Sequence, residues 1–210
     1  MKRPFTSIGV ALLAAITLLT LTTVPAKAGP GYALSFNGTN AFVDMQAAVI
    51  PASGEFTVEC WAFCPPTNGY REILSQGDSG NAFYLGPSST GKLRLGDTWA
   101  TTNAFPFGAW HHFAVVKSST NTICYLDGTN WLSKGSAIAN PAAATGLRLG
   151  CQYRSIGEYW PGQMDEVRIW TVARSADQIR TNLNRALTVP QPGLKAYWRC
   201  DEGAGTTLAD

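Results

Sequence analysis

Charge is scarce in this chain. Asp, Glu, Lys and Arg make up 14% of its 210 residues, and there are only two histidines. No run gathers the Lys and Arg residues, so the electrostatic footprint of a nucleic-acid partner is missing. Beyond residue 28 no stretch reaches the ~20 apolar residues that a membrane span requires. There is no phosphate-binding glycine loop, no dinucleotide fingerprint and no Gly-x-Ser-x-Gly elbow. His111 and His112 are neighbours on an expected strand. They face opposite ways and do not converge on one metal or proton relay. Glycoside hydrolysis needs two carboxylates facing each other across a cleft. Glu59 stands alone, and Asp165 and Glu166 are adjacent, which sends them to opposite faces. The common routes to hydrolysis are therefore disfavoured.

The first feature present is at the N-terminus. Lys2 and Arg3 precede an apolar run from Ile8 to Leu21, and Ala26-Lys27-Ala28 fits a cleavage site, so residues 1–28 read as a secretory signal peptide. Without Lys2, Arg3 and Lys27 the chain keeps 13 Lys and Arg against 14 Asp and Glu, a net charge of −1. The expected location is extracellular or at the cell surface, or the periplasm in a bacterium. Export allows disulfides. The five cysteines, Cys60, Cys64, Cys124, Cys151 and Cys200, are odd in number and match no zinc spacing. Each reads first as a buried thiol, with two bridges at most.

From residue 32 short alternating strands recur between turn signals. YALSF (32–36) and AFVDM (41–45) flank Asn37-Gly38, a hairpin signal. FTVECWAF (56–63) is apolar on both parities except at Thr57 and Glu59, which marks a central strand. REILSQGD, NAFYLG, KLRLG, WHHFAVVKS, NTICYLDG and GLRLGCQ come next in order, with residues 97–109, 135–145 and 154–162 as loops. In GQMDEVRIW (162–170), Met164, Glu166, Arg168 and Trp170 share one parity. Asp165 shares the other with Val167 and Ile169, so it needs a compensating partner. Ser175 and Gln178 form a capping box, and a helix with Ala176, Ile179, Leu183 and Leu187 on its apolar stripe is expected to run to Pro190. Ten to twelve strands and one helix predict an all-β, antiparallel two-sheet jelly roll.

The order ALSFNGTNAFVDM, FTVECWAF, EILSQG, KLRLG, WHHFAVV, CYLDG, LRLG, GQMDEVRIW and ARSADQI resembles the laminin-G-like branch of the concanavalin A-like lectin/glucanase jelly rolls, which includes the pentraxins. The resemblance covers residues 32–187. It implies a recognition module at 29–190, with 191–210 either closing the same domain or leading into another. The alternating acid run of the glucanase relatives is absent. The resemblance also implies a structural calcium near the first and last strands, where Asn37, Gly38, Asn40, Asp44 and Asp165 offer the oxygens that calcium takes. Trp61, Trp110 and Trp170 read as core from their strand positions. Trp99, Trp131, Tyr153, Tyr159 and Trp160 fall in or beside loops, where aromatic faces stack on sugars. The expected role is a secreted, non-catalytic module that binds a glycan or an extracellular protein. The alternatives are an accessory domain of an exported carbohydrate-active or other hydrolytic enzyme, or a spacer without a ligand.

Overall fold

The computed structural model describes residues 31–77, 80–96, 99–143, 145–153, 157–205 and 207–210. The expected signal peptide, 1–28, lies outside the described residues. The strands in chain order are β1 (Leu34–Ser35), β2 (Val43–Asp44), β3 (Phe56–Phe63), β4 (Leu74–Gln76), β5 (Phe83–Pro87) and β6 (Lys92–Leu95). Next come β7 (Trp99–Ala104), β8 (Trp110–Lys117), β9 (Thr122–Leu126), β10 (Thr129–Lys134), β11 (Leu147–Leu149) and β12 (Gln163–Trp170). A helix, α1 (Ala176–Asn182), precedes β13 (Leu194–Trp198). The larger sheet runs β1-β12-β3-β8-β9-β10, with β13 also on β12, and the smaller runs β2-β11-β4-β5-β6-β7. All the pairings are antiparallel, giving the expected jelly-roll sandwich.

Alternation builds the core. On β3, Phe56, Val58, Cys60 and Ala62 enter the space between the sheets, where they meet Leu74, Phe83, Leu85, Leu93 and Leu95 of the smaller sheet. Phe56 and Phe83 touch edge to face across that space, with ring centroids 5.6 Å apart. β3 is central in its sheet, between β12 and β8, as its two apolar faces require. Its other parity is buried too, beneath α1 and the segment that precedes it. Glu59 is fully buried and is met by Arg174 at 2.6 Å, with the His112 ring nitrogen at 3.5 Å. Beside it Arg168 pairs with Glu166, which also accepts the Tyr197 hydroxyl at 2.5 Å. These buried charges thus meet opposite charges, as burial demands.

Three local expectations change. Residues 32–45 do not form a hairpin: β1 joins the larger sheet and β2 the smaller, and the turn between them crosses the sandwich. Residues 99–104, expected within a loop, form the edge strand β7. The helix starts at the expected Ser175 capping box but stops at Asn182. Its end is fixed from below: Arg168 donates to the Asn182 and Arg185 carbonyls and the Trp61 indole to that of Leu183, drawing these acceptors away from continued helix. The five thiols are all free and buried, the state in which each first reads from the sequence. Cys60 and Cys124 lie on β3 and β9 with β8 between them. Two strand spacings, about 9–10 Å, exceed the reach of a disulfide.

The strict parity of β12 also fails, at a bulge. Asp165 pairs with Trp61 and Arg168 with Glu59, so three steps on β12 match two on β3. Met164 and Val167 consequently both reach the core, and Asp165 is displaced from the face of Val167 and Ile169. Glu166 supplies the irregularity with a left-handed φ of 52°. The bulge falls where β12 changes partner on one edge, from β1 at residues 163–164 to β13 at 167–170.

Asp165 is 4% exposed, and its Oδ1 accepts the Glu166 N–H at 2.8 Å. Burial, and then the Glu166 charge, push its carboxyl up from 3.8 to about 7. The folded state therefore binds this proton more tightly than the unfolded chain, and the fold weakens as pH rises from 3.8 to 7. Asp165→Asn removes that penalty. Its stability in urea is expected to exceed that of the parent by a margin that grows across this window, to on the order of 2–4 kcal/mol at neutral pH. Parallel pH profiles of the two proteins would show that the carboxyl ionises freely.

Candidate functional site

The motif Leu-Arg-Leu-Gly occurs twice, at 93–96 and 147–150. In both copies the two leucines are fully buried in the core. Strand alternation therefore turns Arg94 and Arg148 onto the outer face of the smaller sheet. There each guanidinium lies between two aromatic rings. Arg94 sits 4.6 Å from the Tyr70 centroid and 4.4 Å from that of Tyr84. Arg148 sits 5.3 Å from Phe42 and 4.8 Å from Tyr153. Each also holds a carboxylate. Arg94 reaches Glu158 at 2.6 Å and contacts the buried Glu72, and Arg148 donates through Nε to Asp44 at 2.9 Å. Phe42 of the Arg148 stack meets Tyr159, with centroids 6.3 Å apart, and Tyr159 directly follows Glu158 of the Arg94 stack in the chain. The outcome is a half-buried belt of rings and ion pairs.

One loop completes the belt. The backbone between β11 and β12 doubles back, with Gln152 N–H on the Gly157 carbonyl and Trp160 N–H on that of Gly150, each at 2.9 Å. Glu72 N–H then binds the Glu158 carbonyl at 2.9 Å, which sets Glu158 beside Arg94. Glu158 holds a left-handed φ of 53°, uncommon for a side-chain-bearing residue. Trp160 anchors the loop from within. It is 0% exposed and packs edge to face on Phe105 at 6.0 Å. Gly38 N–H donates to the Trp160 carbonyl at 3.0 Å. At φ 73°, a Cβ on Gly38 would stand 2.8 Å from that of Pro161, so the fit requires glycine.

The aromatics expected from sequence separate accordingly. Tyr153 and Tyr159 belong to the belt. Trp160 does not: it is a core residue, with no face left for a ligand, because the Phe36–Gly162 and Gly38–Trp160 backbone bonds pull its segment against β1 and the adjoining turn. Trp99 and Trp131 lie on the edge strands β7 and β10, not in loops, and pack against the core. Lys134 lies 6.0 Å from the Trp99 centroid, and Trp131 meets Phe113 at 6.4 Å. Phe42, Tyr70, Arg94 and Arg148 were not singled out by sequence. The repeated Leu-Arg-Leu-Gly was the available signal.

Most of the side-chain oxygens expected to hold calcium accept from protein donors. Asn37 Oδ1 accepts the Thr39, Asn40 and Ala41 N–H groups at 3.0 Å, and Asn40 Oδ1 accepts Asn37 Nδ2 at 2.7 Å. Asp44 is divided between Arg148 and the Gln46 N–H, in the other sheet from Asp165. Asp165 binds its own backbone. Among the described residues no three His, Cys, Asp or Glu side chains are grouped to hold a metal ion. Asp44 and Asp165, the two carboxylates of the expected set, are thus held in different sheets, whereas calcium gathers six to eight oxygens around one point. His111 and His112 separate as expected: His111 meets Asp127 at 2.8 Å, and His112 is buried edge-on to Trp61.

A profile of the concanavalin A-like lectin/glucanases superfamily matches residues 37–180. The chain belongs to this superfamily. No curated protein sequence matches it. Among solved structures, a candidate carbohydrate-binding protein of Bacteroides ovatus superimposes with a TM-score of 0.67 at 19% identity. That match covers 84% of this chain and 53% of the other, so the chain spans about half of that relative. Domain 4 of AbnA, an extracellular arabinanase of Geobacillus stearothermophilus solved with arabinotriose, gives 0.58 at 19% identity, over 71% of this chain and 75% of the other. A SAP-like pentraxin of Limulus polyphemus gives 0.55 at 18%, over 75% and 83%. At these identities the likeness is one of fold. No helix among the described residues is long and apolar enough to cross a membrane.

In this lectin/glucanase-like frame the burial of Trp160 has a measurable consequence. Trp160→Ala is expected to lower stability by about 3–5 kcal/mol in denaturant unfolding, the cost of emptying a core tryptophan site. An unchanged midpoint would mean that the side chain lies outside the core.

Proposed function

We propose that the protein is an exported, non-catalytic module that binds glycans on the outer face of its smaller sheet. One observation carries this reading: two arginines on one face, each over two aromatic rings and each holding a carboxylate, with Phe42 of one stack against Tyr159 and Tyr159 next in the chain to Glu158 of the other. Sugars present apolar CH faces edged with hydroxyls. A surface that alternates rings with fixed donors and acceptors answers both. Asp44 and Glu158 are each held by a guanidinium, so neither stands free to act on a glycosidic oxygen. The likeness to a domain of an extracellular arabinanase also favours a second setting, in which such a module serves a carbohydrate-active enzyme.

Tyr159 is the discriminating residue, since it is half-buried and packs on Phe42 without entering the core. On a glycan array followed by calorimetry, Tyr159→Ala is expected to weaken the best ligand by at least about tenfold, about 1.4 kcal/mol. Its melting temperature is expected to match that of the parent. Full binding by the variant would exclude the belt as the site.

A further inference from the structure

The chemistry of the belt narrows its ligand class, an inference that rests on the reading of that face as a glycan site. A site for acidic glycans offers unpaired cations to carboxylate or sulfate groups. Here both guanidinium groups are already engaged. Arg148 gives Nε to Asp44, and its NH1 donates to the Tyr153 carbonyl at 2.8 Å. Arg94 is shared between Glu158 and Glu72. Asp44 and Glu158 are about as exposed as the arginines they hold, 15% against 13% and 22% against 17%, so an incoming anion would meet a carboxylate beside each guanidinium, and like charges at such range repel.

The same ion pairs suit hydroxyl groups. A carboxylate oxygen beside a guanidinium N–H presents an acceptor next to a donor, the complement of two neighbouring hydroxyls, each of which both donates and accepts. The rings packed on each guanidinium limit its motion, so little ordering is left for the ligand to impose. The backbone at Glu158 adds to this. A left-handed glutamate carries a steric cost that glycine would not. The chain nevertheless places glutamate there, and its carboxylate is what neutralises Arg94 on the solvent side.

The spacing sets the length. Arg148 is on β11 and Arg94 on β6, with β4 and β5 between them. Three strand spacings put the stacks about 14 Å apart, longer than any single sugar ring. We propose that the belt takes an uncharged polyhydroxy chain, a neutral oligosaccharide several rings long, laid across the strands with a hydroxyl pair on each arginine–carboxylate pair.

The test uses isothermal titration of the full chain with arabinan-, xylan- and cellulose-derived oligosaccharides of increasing length. Oligogalacturonate and heparin fragments form the acidic arm, and both arms are run at low and high salt. The expected result is binding of a neutral series whose affinity rises with length and is insensitive to salt. Arg94→Gln and Arg148→Gln are each expected to lose about tenfold or more. Glu158→Gly relieves the left-handed backbone, so it is expected to melt no lower than the parent while losing affinity for the same neutral chain. Loss of binding with retained stability separates recognition from folding. Salt-sensitive binding of the acidic fragments, with no neutral ligand, would overturn this proposal and leave glycan recognition standing. Failure of every glycan in both arms would overturn glycan recognition itself.

Discussion

The bulge at Asp165–Glu166 is the constraint on which the rest of the structure depends. It divides one edge of β12 between β1 and β13 without giving up the ladder to β3 on the other side. Because β1 takes the first part of that edge, Phe36 N–H reaches the Gly162 carbonyl and Gly38 N–H reaches that of Trp160. Those bonds draw Trp160 inward. Its own N–H closes onto Gly150, and Gly150 and Glu158 bond to the backbone of Ile73 and Glu72, just ahead of β4. Tyr159 and Glu158, next to the buried indole, are thereby delivered to the outer face of the smaller sheet. A backbone irregularity in one sheet thus fixes side chains on the other.

The two outer faces of the sandwich have opposite fates. That of the larger sheet is covered by α1 and its flanking segments, and its charged residues are consumed internally: Glu59 by Arg174, Glu166 by Arg168 and Tyr197. Burial tends to hold the Glu59 carboxyl in its neutral form, but His112 and Arg174 prevail and bring it below its ordinary value. On the smaller sheet the same kinds of group, arginine with carboxylate and ring, remain half-buried at the surface. Satisfied polar groups beneath the helix specify the fold. Similar groups left within reach of solvent form a surface for recognition.

Much of the fold was legible because its signals are local. Alternation gave the strands, the two apolar parities of FTVECWAF gave the centre of the larger sheet, and Ser175 with Gln178 gave the start of the helix. The bulge was hidden because counting parity assumes that alternation never slips. Parity consequently places Asp165 on the wrong face, although it does mark the acid as one that needs a compensating partner. The end of the helix was hidden because it is set by Arg168 and Trp61 from another layer. The site was only partly visible for a related reason. Arg94 meets Glu158 across 64 residues and Arg148 meets Asp44 across 104. No window along the chain contains either pair. Tyr153 and Tyr159 could be found as loop aromatics, but loop position alone could not tell Tyr159, turned outward, from Trp160, turned in.

The most direct test is to map, by NMR chemical-shift perturbation, where the best-binding oligosaccharide from an array contacts the isotope-labelled chain. Recognition by the belt predicts that the shifted resonances cluster on Phe42, Tyr70, Arg94, Arg148, Tyr153, Glu158 and Tyr159. A cluster around Trp99 and Trp131 on the edge strands, or around the Asn37 turn, with the arginine side chains unmoved, would contradict it.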